Sequence, residues 1–230
     1  MPILFRWPVF RKDPYWGRRG ETFVTRKTTR RLGLVAALIV LVGLAGWGAW
    51  TLWGPKPLSQ QAFHGFVLDP PQPAPELGLI DQHGKPFRLA DHRGRAVMLF
   101  FGYTNCPDVC PATLIYYTQV KRELGPLADR VRFVFVTVDP EYDTPERLRE
   151  YVNRFDPSFY GLWGSPEELE PVLANYGIYV SKVPNENSPV GYWVNHTALS
   201  FVIDPQGRLV LAFPFGVEPQ DMAADLRRII

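Results

Sequence analysis

The 230 residues carry a formal net charge of +2, and this charge is unevenly divided along the chain. Residues 1–31 hold nine basic and two acidic side chains, whereas the remainder holds 16 basic and 21 acidic ones. The larger part is therefore mildly acidic, which gives no support for nucleic-acid binding. The chain has only two cysteines, too few for a small domain stapled by several disulfides.

Residues 32–53 are the first predicted element, a run of 22 residues without a charged side chain. This length is sufficient for one helix across the hydrocarbon core of a bilayer. Four basic residues lie between positions 26 and 31, so the positive-inside rule places the tail 1–31 in the cytoplasm. We therefore predict a single-pass protein of the inner (cytoplasmic) membrane with a periplasmic C-terminal domain. A cleaved signal peptide is the alternative, disfavoured by the length of the run.

After the predicted membrane helix, residues 54–62 form a predicted linker and residues 63–230 one domain. A first strand is expected at 63–68, and the proline-rich segment 69–75 is expected to lie outside regular structure. The pattern then predicts a hairpin at 79–89, a buried strand at 96–101, a helix from Pro107 to about Leu124, a strand at 131–138, helices capped by Thr144 and Ser165, a strand at 178–183, a polar loop at 184–191, a hairpin of strands 198–204 and 209–213, and a closing helix at 219–230. This order predicts an α/β fold with a central mixed sheet and helices on both faces.

Both cysteines follow the buried strand at 96–101, as Cys106 and Cys110. If Pro107 opens the helix, the two thiols lie about one turn apart near its positive end, which favours thiolates. Two accessible thiolates are either a reversible redox couple or half of a soft-metal site. A bridge closing so few residues would add little stability, so the pair indicates reactivity. Cysteines at a strand-to-helix turn of this kind are the thioredoxin arrangement.

Four segments of the chain resemble, in order and spacing, the motifs of the Sco/SenC copper chaperones. They are the cysteine run at 100–111, DQHGKPF at 81–87, VDPEYDTP at 138–145 and VNHT at 194–197. The resemblance covers about residues 63–230 and implies a thioredoxin-like fold that binds one copper ion. The implied ligands are Cys106, Cys110 and His196, and the implied role is assembly of the dinuclear copper centre of cytochrome c oxidase. The implied partners are the copper-bearing subunit of that oxidase and a copper-donor protein.

The implied ligand set is chemically suited to copper. Two thiolates and one imidazole suit Cu(I), and Cu(II) can be held by the same three with a weak further ligand. Structural zinc normally has four protein ligands, and no fourth partner is evident. His196 decides between copper binding and purely redox work. Because His196 is expected in a loop before a core strand, we expect the loop to swing, so that the histidine closes on copper and releases it. From spacing alone, the alternative is a surface or hinge histidine satisfied by hydrogen bonds.

Two aspartates are expected to support the site without binding the metal. Asp108 stands between the cysteines, where its carboxylate either stabilises the helix N-terminus or opposes thiolate formation. Asp139 ends the strand at 131–138, at the sheet edge where α/β proteins gather their sites. It is expected to orient His196 or the cysteine loop, and a turn-forming role before Pro140 is the alternative.

The favoured function is a membrane-anchored copper chaperone rather than an enzyme. The alternative is a thiol–disulfide oxidoreductase that reduces cysteines of the copper acceptor, with Cys106 and Cys110 as its redox pair. The two functions are compatible, because a donor that first reduces its acceptor would use the same thiols. Peroxidase chemistry on a related peroxiredoxin-type fold is disfavoured, since no arginine lies within the cysteine loop.

Overall fold

The computed structural model describes residues 26–53 and 62–230. The chain divides into two compact units, residues 1–55 and 56–230. Residues 1–25 of the predicted basic tail and residues 54–61 of the predicted linker lie outside the described residues. The boundaries predicted for the tail and the linker therefore stay predictions.

The first unit contains helix α1 (Arg26–Trp53), 28 residues long. The predicted helix at 32–53 is thus observed as a helix, and it begins six residues earlier, within the basic segment. Across residues 26–53 and 62–230, no helix combines the length and the hydropathy that crossing a membrane requires. The predicted membrane span at 32–53 is not confirmed and stays a prediction.

The second unit alternates strands and helices in the predicted manner. Its elements in chain order are β1 (Phe66–Pro73), β2 (Leu79–Asp81), β3 (Pro86–Phe87), β4 (Ala96–Gly102), α2 (Val109–Leu124), β5 (Val131–Thr137), α3 (Pro145–Asn153), β6 (Tyr160–Trp163), α4 (Pro166–Asn175), β7 (Val180–Pro184), β8 (Tyr192–His196), β9 (Leu199–Ile203), β10 (Arg208–Pro214) and α5 (Pro219–Ile229). Short 3-10 turns lie at Leu89–His92 and Gly125–Arg130.

Eight of these strands form one mixed sheet in the order β1-β10-β9-β4-β5-β6-β2-β3. Strands β4, β5 and β6 are parallel to one another, and β9 pairs with β4 in the antiparallel sense. Strands β7 and β8 pair with each other as a separate two-stranded sheet. The cysteine loop follows β4, which is buried along its whole length.

Helices cover both faces of the sheet. Successive residues of a strand point to opposite faces, so Phe100 and Phe101 of β4 enter different layers. On the Phe100 side, Tyr117 of α2 packs against Phe133 with ring centroids 5.5 Å apart. On the other side, Tyr176 at the end of α4 packs against Phe101 at 5.3 Å. The predicted α/β architecture, thioredoxin-like with a central mixed sheet between helices, is confirmed.

The predicted N-caps of α3 and α4 are also confirmed. The hydroxyl of Thr144 accepts a hydrogen bond from the Arg147 N–H at 3.3 Å. Ser165 and Glu168 form a reciprocal capping box at the start of α4. Each cap satisfies backbone N–H groups that a helix leaves unpaired in its first turn.

The proline-rich segment is the clearest difference from the predicted elements. Strand β1 extends to Pro73, with Gln72 opposite Leu209 and Pro73 opposite Arg208 on β10, after a shift of register. The prediction that 69–75 lies outside regular structure was therefore wrong for most of the segment. The physical reason is that β1 is an edge strand, where proline is tolerated because one side of the strand needs no N–H donors.

Candidate functional site

The cysteine loop connects β4 to α2, and the helix begins later than predicted. It starts at Val109, with Asp108 as the N-cap in a non-helical conformation (φ −139°). The prediction that Pro107 opens the helix was therefore wrong, and Cys106 precedes the helix. The Cys106 sulfur receives the backbone N–H of Cys110 at 3.4 Å. A thiol sulfur thus accepts one of the N–H groups that the first turn of α2 leaves free.

Asp108 lies beside the cysteines but does not use its carboxylate as predicted. Its side chain is exposed, and within the described part of the chain it makes no capping hydrogen bond. Its backbone N–H, by contrast, is one of the donors to the Cys106 thiolate. The structure therefore gives this position a backbone role, and a role for the carboxylate stays a prediction.

The two cysteines are free thiols with opposite environments. Cys110 is fully buried, whereas Cys106 is partly exposed. A hydrogen bond from the Cys110 thiol lowers the pKa of Cys106 to about 4, and the backbone N–H groups of Asp108 and Cys110 contribute in the same direction. Burial raises the pKa of Cys110 well above its ordinary value. At neutral pH the pair is therefore an accessible thiolate beside a buried, protonated thiol.

This asymmetry predicts the pH dependence of alkylation. The rate of Cys106 modification by iodoacetamide, followed by mass spectrometry of the reduced protein, should already be maximal at neutral pH and should fall only near pH 4. Cys110 should react only after unfolding. The same lowered pKa means that the free energy of unfolding decreases as the pH falls from about 9 towards about 4. An alkylation profile with its inflection near pH 9 would contradict the assignment.

His196 lies against the cysteine pair. Its ring stands edge-on to Phe100 and Tyr103, with both centroid distances 5.9 Å. Its Nδ1 atom is 3.1 Å from the carbonyl oxygen of Thr197, and its Nε2 atom is 3.5 Å from the Cys110 sulfur. Because a carbonyl only accepts, Nδ1 carries the proton in the neutral ring and Nε2 presents its lone pair to the sulfur.

The element that carries His196 also differs from the prediction. His196 is the last residue of β8, opposite Val180 on β7, and is not part of a free loop. The loop between these strands is tied to the cysteine loop by the amide of Asn105, which donates to the Ser188 hydroxyl at 3.2 Å. The Tyr103 hydroxyl likewise accepts the Val194 N–H at 3.2 Å. Movement of the His196 backbone away from the cysteines therefore requires movement of the β7–β8 hairpin.

Asp143 is a buried residue of the site that the sequence analysis did not assign. Its carboxylate accepts hydrogen bonds from the Thr137 hydroxyl at 2.6 Å and from the Thr104 N–H at 3.1 Å. The Thr104 hydroxyl is a third donor to it. Burial raises the pKa of Asp143, although these hydrogen bonds act against the rise. Asp143 thus clamps the start of the cysteine loop to the end of β5.

Asp139 contacts the hairpin rather than the cysteine loop. Its side chain is fully buried and accepts a hydrogen bond from the Tyr192 hydroxyl at 2.9 Å. Its second oxygen pairs with the Lys182 ammonium at 2.8 Å. Its backbone N–H donates to the Thr137 hydroxyl at 3.0 Å. Any influence of Asp139 on His196 is therefore exerted through β7 and β8.

The three predicted ligands are close neighbours in the structure. Two donors that each lie about 2.0–2.3 Å from one ion are at most about 4.6 Å apart, so the 3.5 Å between Cys110 Sγ and His196 Nε2 fits a shared metal. Among residues 26–53 and 62–230, no group of three or more His, Cys, Asp or Glu side chains is arranged to hold a metal. The residue types nevertheless fit copper, because two sulfurs and one imidazole nitrogen are donors that copper prefers.

Comparison with known proteins relates the chain to one family. Residues 69–230 match the family model described as SCO1/SenC. The SCO2-like protein RC0895 of Rickettsia conorii is 30% identical over 199 residues, which cover 84% of this chain and 96% of that protein. ScoI of Bradyrhizobium japonicum, solved with copper bound, is 38% identical with a TM-score of 0.61, covering 74% of this chain and 100% of that one. Apo Sco1 of Thermus thermophilus is 36% identical with a TM-score of 0.65, and the match covers 75% of this chain and 99% of that one. The resemblance predicted from the sequence is confirmed, and the chain belongs to the SCO1/SenC family.

Proposed function

We propose that this protein binds one copper ion as cargo and delivers it to the dinuclear copper centre of cytochrome c oxidase during assembly. The ligands are Cys106, Cys110 and His196. The observation that carries the proposal is the 3.5 Å approach of His196 Nε2 to Cys110 Sγ, beside the Cys106 thiolate. The copper-bound structure of the B. japonicum relative supports it.

The residues of the site have complementary tasks in holding the ion. Copper in its Cu(I) state prefers soft sulfur, which Cys106 offers as a thiolate before the metal arrives. Cys110 gives up its proton when it becomes a ligand, so binding releases a proton and strengthens as the pH rises. The Thr197 carbonyl holds the imidazole in the tautomer that leaves Nε2 free. Cu(II) is accommodated by the same three donors with a weak further ligand.

The substitution His196→Ala tests this ligand set. We expect the affinity for Cu(I), measured by competition with a chromophoric chelator, to fall by about 100-fold or more. Loss of a residue that only orients a metal ligand already lowers metal affinity by about 10–100-fold, and His196 is itself a proposed ligand. His83→Ala, which removes an exposed histidine from another part of the domain, should bind copper like the wild type. An unchanged affinity in His196→Ala would remove the histidine from the proposal.

A thiol–disulfide oxidoreductase function is the second candidate, favoured by the exposed thiolate beside a buried thiol. Cys106 would attack a partner disulfide, forming a mixed disulfide and releasing one partner thiolate. Cys110 would then attack the Cys106 sulfur, releasing the second partner thiol and leaving a Cys106–Cys110 disulfide in this protein. Two electrons thus pass from the pair to the partner. Turnover of a disulfide substrate should survive in His196→Ala, which separates this activity from copper binding.

We also propose that residues 32–53 anchor the copper-binding domain on the periplasmic side of the inner membrane. The uncharged helical run and the basic residues before it support this placement. The partners would be the copper-bearing oxidase subunit and a copper donor in the same compartment. After cell fractionation, the full chain should be recovered with membranes and residues 56–230 without them. Recovery of the full chain in the soluble fraction would contradict the anchor.

A further inference from the structure

The β7–β8 hairpin supplies His196, whereas β4 and α2 supply the cysteines. The hairpin forms its own two-stranded sheet, so the ladders of the central sheet do not fix its position. Its orientation relative to the cysteines is set instead by the Asn105–Ser188 and Tyr103–Val194 hydrogen bonds described above and by the contacts of Asp139. The distance between His196 and Cys110 therefore depends on the contacts that hold the hairpin against the rest of the domain.

One face of the hairpin carries both the predicted ligand His196 and the side chains that contact Asp139. Because side chains alternate along a strand, Tyr192, Val194 and His196 of β8 point to the same face. Lys182 lies opposite Val194 on β7 and shares that face. Val194 is buried, and His196 meets Cys110. The remaining two side chains, one from each strand, both engage Asp139.

Asp139 is well suited to hold the hairpin because it is fully buried at the end of β5. One carboxylate oxygen accepts the Tyr192 hydroxyl at 2.9 Å, and the other pairs with Lys182 at 2.8 Å. The Lys182 ammonium also lies 4.5 Å above the centre of the Tyr192 ring. On its exposed side the same ammonium pairs with Glu141 at 2.7 Å. A single buried carboxylate thus fastens both strands to the central sheet.

We propose that Asp139, Lys182 and Tyr192 form a positioning cluster that sets the distance between His196 and the cysteines and thereby the strength of copper retention. The proposal rests on the proposed function of His196 as a copper ligand. The four residue-to-residue steps from Tyr192 to His196 span about 13 Å of strand, so a small tilt at the cluster displaces the imidazole. Loosening the cluster therefore weakens the nitrogen contact and leaves the two sulfur contacts in place.

The test compares Asp139→Asn and Tyr192→Phe in the wild-type protein and in the His196→Ala variant. Asn keeps the shape of the side chain but removes the charge that pairs with Lys182, and Phe removes only the hydroxyl. We expect Asp139→Asn to lower Cu(I) affinity by about 10–100-fold and Tyr192→Phe to lower it less, as for other residues that orient metal ligands. Glu170→Gln, which removes an exposed negative charge from α4, should leave the affinity unchanged.

The His196→Ala background separates positioning from a general effect on folding. If the cluster acts through His196, Asp139→Asn should cause no further loss of affinity once the imidazole is gone. An equal loss in both backgrounds, or no loss in the wild-type background, would overturn the positioning role. If His196→Ala itself binds copper as tightly as the wild type, His196 is not a copper ligand. That result contradicts the proposed function, and the positioning role of the cluster with it. Should Asp139→Asn not fold, Tyr192→Phe gives the same comparison with a milder change.

Discussion

Replacing Cys106 with serine is expected to reduce the affinity for Cu(I) by at least about 1,000-fold, equivalent to about 4 kcal/mol. The sulfur is the soft donor that Cu(I) prefers, and a serine hydroxyl stays protonated and hard at neutral pH. Cys106 already carries its negative charge before the metal binds, since its pKa is lowered to about 4. Chelator competition on the reduced protein, with the thermal midpoint as a check of folding, measures the effect.

The partly exposed position of Cys106 makes this variant a clean test. Serine has nearly the same shape, so we expect the fold to be kept, with a lower thermal midpoint because the stabilised thiolate charge is lost. Cys110→Ser should reduce the affinity similarly, but it also places a hydroxyl at a fully buried position and should lower the stability more. A Cys106→Ser protein that still binds one Cu(I) within tenfold of the wild-type affinity would show that the site lies elsewhere.

Replacing Asp143 with alanine is expected to lower the free energy of unfolding by about 3 kcal/mol or more. The change leaves three donors without their acceptor: the buried Thr137 hydroxyl and the partly buried N–H and hydroxyl of Thr104. Each buried donor left without a partner costs about 1–3 kcal/mol. Urea denaturation followed by circular dichroism gives the change directly.

Asp108→Ala is the matched control for the Asp143 variant, because it removes an exposed carboxylate from the same loop region. Its effect on stability should lie within about 0.5 kcal/mol of zero. Asp143→Ala should in addition weaken copper binding, since Thr104 lies two residues before Cys106. Equal stabilities of the two variants would mean that Asp143 does not clamp the loop.

The elements that local pattern specifies were predicted well. The buried strand before the cysteines, the end of α2 at Leu124 and the Thr144 and Ser165 caps depend on neighbours in sequence, and all are observed. Strand β6 escaped prediction because four residues, Tyr160–Trp163, with an internal glycine carry no clear alternation. Strand β8 was assigned to no element for a similar reason, and His196 was therefore expected in a loop.

The candidate site was only partly visible in the sequence. Cys106 and Cys110 were identified from their own motif, whereas His196 was favoured only through the resemblance to a family. The partners that position these residues are distant along the chain: Thr104 and Asp143 are 39 residues apart, and Tyr192 and Asp139 are 53 apart. Hydrogen bonds of this range depend on the topology of the sheet, which periodicity and composition do not encode.

The most direct test of the copper site is X-ray absorption at the copper edge on the reduced protein loaded with one equivalent of Cu(I). We expect a 1:1 complex in which copper has two sulfur neighbours and one nitrogen neighbour, and loss of the nitrogen in His196→Ala. Coordination by sulfur alone in the wild-type protein, or failure to form a 1:1 complex, would contradict the copper site and leave thiol–disulfide exchange as the function of the cysteine pair.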